Sequence, residues 1–118
     1  MSLAVIPPAV EVAASGGVTT HRLFSLSAKR LAFKVKSTNN DHYSVNPVYG
    51  FIEPTQSAIL EVTRLEGPPT KPPGDRLVIQ YLEVGADVTD ATELFKRGSP
   101  PHVKVALIAT KKPPGRRY

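Results

Sequence analysis

The chain has no cysteine and no tryptophan, and only one methionine. Without cysteine there can be no disulfide framework, thiolate nucleophile or cysteine zinc site, so redox chemistry is an unpromising role. Long hydrophobic runs are also missing: no apolar stretch approaches the ~18 residues that would span a bilayer. The N-terminus, Met1-Ser2-Leu3-Ala4-Val5-Ile6-Pro7-Pro8, has no basic lead-in, and its paired prolines cut the apolar stretch short of a signal peptide core. A cytoplasmic location is the expectation. Aromatic side chains are sparse, with four Phe and four Tyr falling mostly at strand positions. They suit a core or a cross-strand pair better than a base-stacking platform, which argues against nucleic acid as a partner.

What is present fits one small folded unit. The 118 residues are 41% hydrophobic and 21% charged, enough apolar content for a single modest core. The net charge of +5 is concentrated at the C-terminus, where Lys111, Lys112, Arg116 and Arg117 stand without an acid. Residues 1–110 hold the other 11 basic side chains against all 10 acidic ones. The body is nearly neutral but segregated, since Arg22, Lys29, Arg30, Lys34 and Lys36 lie between Glu11 and Asp41 with no acid among them. The expected organisation is a domain over 1–110 and a basic, proline-containing flexible tail over 111–118.

Short period-two segments dominate the domain, as in strands with one buried face. Leu31, Phe33 and Val35 alternate with Ala32, Lys34 and Lys36; Leu60 and Val62 alternate with Glu61 and Thr63. Leu77, Ile79 and Tyr81 form a third series, and Val103, Val105 and Leu107 a fourth. Weaker strands are expected over 10–13, 21–27 and 43–52, the last interrupted by Pro47, which cannot donate to a ladder. About seven strands separated by turn residues favour an all-β sandwich. One short helix is predicted near the C-terminal strand, where Asp90 and Glu93 have capping-box spacing ahead of Leu94 and Phe95. Those two apolar side chains are expected to plug one end of the sandwich, and residues 68–74, rich in proline, form a loop.

Catalytic patterns are not found. His21, His42 and His102 are far apart and lack metal-ligand spacing; no serine sits in a GxSxG elbow; Gly16-Gly17 has no phosphate-loop lysine. The sequence points to a non-enzymatic protein with no cofactor, no metal and no small-molecule substrate.

One segment is more specific. Leu31-Ala32-Phe33-Lys34-Val35-Lys36-Ser37-Thr38-Asn39-Asn40 continues as Tyr43-Ser44-Val45-Asn46-Pro47-Val48-Tyr49-Gly50-Phe51-Ile52-Glu53-Pro54. It resembles the F-K-[IV]-K-[TS]-T strand and V-x-P-x-x-G-x-[IL]-x-P turn of the major sperm protein domain. Pro7-Pro8, the strand start at Gly74-Asp75-Arg76-Leu77-Val78-Ile79 and the closing strand at 103–108 extend the likeness over most of residues 4–110. The resemblance implies an immunoglobulin-like, seven-stranded β-sandwich. It also implies that Gly50 holds a backbone conformation closed to other residues, and that Pro8 and Pro54 are sites of cis or kinked proline.

Two kinds of non-enzymatic work are implied. The nematode sperm proteins of this family are cytoskeletal, and Asn39-Asn40 after Thr38 is similar to the small sperm-specific group, which favours a cytoskeletal or accessory protein with at most weak self-association. The membrane-contact adaptors bind acidic, phenylalanine-containing peptides on a basic face. Carried onto this chain, that peptide site falls on Lys36, Ser37, Thr38, Arg76 and Val78. Alternation sets Lys34 and Lys36 opposite Leu31, Phe33 and Val35. Arginine at 76 and valine at 78 replace the adaptors' lysine and methionine, so the same residues also fit a solvated basic face without a dedicated ligand.

Overall fold

A computed structural model describes residues 2–111. Lys111 is exposed, and the rest of the expected tail, 112–118, lies outside the described residues. Nine strands and one 3₁₀ turn are present among the described residues: β1 (Leu3–Ile6), β2 (Ala9–Ala13), β3 (Gly17–Ser25), β4 (Arg30–Ser37), β5 (Tyr43–Asn46), β6 (Tyr49–Ile52), β7 (Ser57–Arg64), β8 (Asp75–Val84), the turn Thr92–Phe95 and β9 (His102–Thr110). They build a four-stranded sheet, β1-β3-β7-β5, and a five-stranded sheet, β2-β9-β8-β4-β6. All pairs are antiparallel except β2 with β9.

Eight of the nine strands are the seven expected runs, the one over 43–52 divided into β5 and β6; β1 was not expected. β1 and β2 are one run that leaves the four-stranded sheet at Pro7-Pro8 and joins the five-stranded one; β5 and β6 do the same at Pro47. Proline has no N–H for a ladder, so pairing stops there and the chain is released to the other sheet. The cis peptide bonds precede Pro7, Pro47 and Pro73. Pro8 and Pro54, expected from the resemblance to be cis or kinked sites, have trans bonds, and the second crossover falls at Pro47.

The core lies between the sheets and is built by the alternation read from the sequence. Leu31, Phe33, Val35, Leu60, Val62, Leu77, Ile79, Tyr81, Val105 and Leu107 all face inward and are buried. Gly50 is not a left-handed residue, contrary to expectation. It pairs with Phe33 across β6 and β4, and a Cβ at Gly50 would lie 2.6 Å from the Phe33 ring. The glycine therefore makes room for a core aromatic, a steric requirement and not a conformational one.

Of the four polar side chains buried among the described residues, two hold loops to this core. His21 bonds the carbonyl of Pro7 through Nδ1 at 2.9 Å and Thr19 Oγ1 through Nε2 at 3.3 Å, which ties the first crossover to β3. Arg64 follows Leu60 and Val62 into the interior, donates from Nη2 to the Pro68 carbonyl at 2.7 Å, and stacks 5.1 Å from the Tyr43 ring centroid. The proline-rich loop is thus anchored from inside, and Thr70 fastens its middle to Ala109 on β9 through two hydrogen bonds.

The predicted helix is a single 3₁₀ turn. The spacing of Asp90 and Glu93 does not make a capping box: Asp90 Oδ1 accepts from the amide and hydroxyl of Thr92 at 2.9 and 2.6 Å, while Glu93 pairs with Lys96 at 2.8 Å. Aspartate satisfied by a residue two positions on favours a tight turn over a helix start. Nor do the apolar residues plug an end of the sandwich. Ala91, Leu94 and Phe95 pack with Ala32, Tyr49, Phe51, Leu82 and Val84 on the outer face of the five-stranded sheet, a second small core.

Candidate interaction face

The remainder of that outer face is open and basic. The register sets Lys36 of β4 beside Val78 of β8, and Val78 beside Lys104 of β9. With strands ~4.8 Å apart, the two lysines flank the valine at the same level. The next row holds Lys34, Gln80 and His102, and β6 closes it with Tyr49 beside Lys34. On the other side of the lysine row, Arg76 stands next to Ala106.

Four of the five residues carried over from the resemblance meet here. Lys36, Thr38 and Arg76 are exposed and Val78 is half-buried on the same face. Thr38 clips the ends of β4 and β8: its amide donates to the Arg76 carbonyl at 3.0 Å, and its Oγ1 accepts from the Arg76 amide at 2.9 Å. Ser37 alternates to the core side beside Leu77, and its hydroxyl accepts from the Asn39 amide at 3.0 Å. Its work is to turn the chain after β4.

The electrostatics are one-sided. Ion pairs among the described residues are Arg30–Glu53 and Lys96–Glu93, so Lys36, Arg76 and Lys104 have no carboxylate partner there. Lys34 is partly retired, with Nζ 5.3 Å from the Tyr49 ring centroid. Gln80 Oε1 is buried in the row between Lys34 and His102 with no hydrogen-bond partner. Clustered cations of one sign hold a positive potential over the face and favour an anionic partner.

Lys104, His102 and Gln80 were not among the residues picked out from the sequence. Alternation of Val103, Val105 and Leu107 does put Lys104 on the outside, but that β9 lies against β8 is a long-range pairing that no local pattern shows. No cluster of three or more potential metal-ligating His, Cys, Asp or Glu occurs among the described residues, and no helix there is long and apolar enough to cross a membrane.

Two sheets packed face to face, with the outer strands passing between them and one outer face basic, define a sandwich of the immunoglobulin-like class. Comparison with known proteins places it further: the MSP (Major sperm protein) domain profile matches residues 2–104, and the chain belongs to that family. Among curated relatives, the Caenorhabditis elegans sperm-specific class P protein 32 is 48% identical over 97 residues, covering 82% of this chain and 88% of the relative. Sperm-specific class P protein 31 of the same organism is 50% identical over 105 residues, covering 88% and 95%. The solved structure of WR4, a C. elegans MSP family member, superposes with a TM-score of 0.86 at 46% identity, covering 92% of this chain and 98% of that one.

Proposed function

We propose that the chain is a non-enzymatic, cytoplasmic protein-interaction component of nematode sperm, cytoskeletal or accessory to the cytoskeleton. The observation that carries this reading is the match, over nearly the whole length of each partner, to sperm-specific class P proteins at about half identity. A sandwich with an unpaired basic face supplies a surface for such work. The domain proper ends at residue 110, and removal of 111–118 is expected to leave the thermal midpoint unchanged while weakening salt-sensitive binding to polyanions.

Two measurements test the reading. Antibody staining is expected in sperm alone, and equal staining of somatic tissue would contradict it. Sedimentation across a concentration series is expected to show monomer and at most a weak dimer, because Pro7-Pro8 and Pro47 keep the edge strands β1 and β5 to four residues each. Cooperative polymer growth would make the chain a filament subunit instead of an accessory.

A second reading is favoured by the cluster of Lys36, Arg76 and Lys104 around Val78: a peptide adaptor in which an acidic, phenylalanine-containing segment lies on the basic face. The carboxylates of such a segment would meet the unpaired cations, and its ring would cover the valine.

A further inference from the structure

Along one side of the sandwich a groove of about 480 Å3 opens between the sheets, lined by Leu3, Val5, Pro8, His102, Val103 and Lys104. It adjoins the basic face, sharing His102 and Lys104 with it, and is bounded by two backbone edges. β1 pairs with β3 on one side, and its other edge has no backbone partner among the described residues. β9 pairs with β8 through His102, Val103 and Lys104, but its partner on the other side, β2, begins only at Ala9, which meets Ala106. The crossover at Pro7-Pro8 is what leaves this gap, because the chain passes from one sheet to the other before β9 is fully covered.

Such an edge is usually blunted by charge or proline. β1 reads Leu-Ala-Val-Ile and has neither within it. The floor is apolar: Leu3 and Val5 belong to the main core and Val103 packs against it. Unpaired amides and carbonyls over an apolar floor are the two requirements for adding an extended strand, the backbone giving affinity and alternate side chains giving specificity.

We propose that this groove receives an extended segment of another protein, four or five residues long, with apolar residues at alternate positions and carboxylates between them. The length follows from the four residues of β1 and the four residues of β9, His102 to Val105, that precede its first pair with β2. The apolar side chains enter the groove between the sheets, and the carboxylates meet Lys104, which has no ion-pair partner among the described residues. Charge also decides against a second copy as occupant: its β1, Leu-Ala-Val-Ile, would bring no carboxylate to Lys104.

The test uses the full chain and a synthetic peptide, acetyl-Asp-Val-Glu-Val-Asp-Leu-Glu-amide, followed by NMR with amide exchange. Binding is expected to protect the edge-facing amides of Leu3, Val5, His102 and Lys104. Lys104→Glu is expected to weaken it roughly tenfold, and Lys36→Glu with Arg76→Glu to change it less than about twofold, since those two residues do not line the groove. Because Lys36 and Arg76 belong to the basic face alone while Lys104 serves both, groove binding that survives in the double variant separates this proposal from the adaptor reading. No binding at millimolar peptide would overturn the proposal, as would shifts confined to Lys36, Arg76 and Val78. Protection of the same amides without peptide, growing with protein concentration, would assign the groove to a second copy.

Discussion

On the outer face of the five-stranded sheet, the half around Arg30 is roofed by Phe95, Leu94 and Ala91, while the half around Lys36 is bare. Both halves rest on β4 and β8 and both contain cations. Arg30 is engaged through Nε and Nη1: Nε lies 2.9 Å from Glu53, Nη1 donates to the carbonyls of Val88 and Gly85 at 2.6 and 3.3 Å, and the guanidinium sits 3.9 Å from the Phe51 ring centroid. Lys36, Arg76 and Lys104 have no such partners among the described residues. A cation bonded to its neighbours holds structure together; one whose donors have no protein partner is available to something else.

Substitutions in the roofed half should therefore cost stability and those in the bare half should not. The largest effect is expected for Phe95→Ala, about 3 kcal/mol in chemical denaturation, because a buried ring is removed from the second core. Arg30→Ala should follow at ~2 kcal/mol, through loss of charge-assisted hydrogen bonds and the ring contact. Lys36→Glu with Arg76→Glu is expected to move stability by less than ~0.5 kcal/mol, since both are exposed and unpaired. A large loss there would erase the contrast between the halves.

The smallest expected effect concerns Asp90, where the roofing turn begins. Hydrogen bonds from the Thr92 hydroxyl and amide, with Lys96 nearby, hold its carboxyl below the ordinary aspartate value. A lowered folded value contributes stability above the unfolded pKa of about 3.9, and that contribution is lost as pH falls through the folded value. Asp90→Ala should therefore differ slightly from the parent near pH 6 and converge with it in strong acid. A difference that persisted in acid would mean that the side chain acts by something other than its charge.

Much of the fold was legible because alternation is local. Leu31, Phe33 and Val35 faced the core and Lys36 faced out as a strand of period two requires. Ala32 shares its face with Lys34 and Lys36 yet is completely buried, because a turn sixty residues later covers it. Long-range pairing likewise hid Lys104 from the candidate site, whereas Ser37 lies on the far side by the same local alternation that turns Leu31, Phe33 and Val35 inward. Asp90 and Glu93 misled for a different reason: the spacing that caps a helix also permits a shorter hydrogen bond to Thr92, and the 3₁₀ turn uses it.

The measurement that bears most directly on the bare half as a working surface is calorimetric titration of an acidic, phenylalanine-containing peptide into the parent and the Lys36→Glu, Arg76→Glu variant, at low and at physiological salt. The expected result is micromolar or weaker binding to the parent that falls as salt rises, and none to the variant, with the thermal midpoints of the two proteins alike. Equal affinity for both proteins would place the site elsewhere, and no binding to the parent at low salt would show that the unpaired cations only solvate the surface.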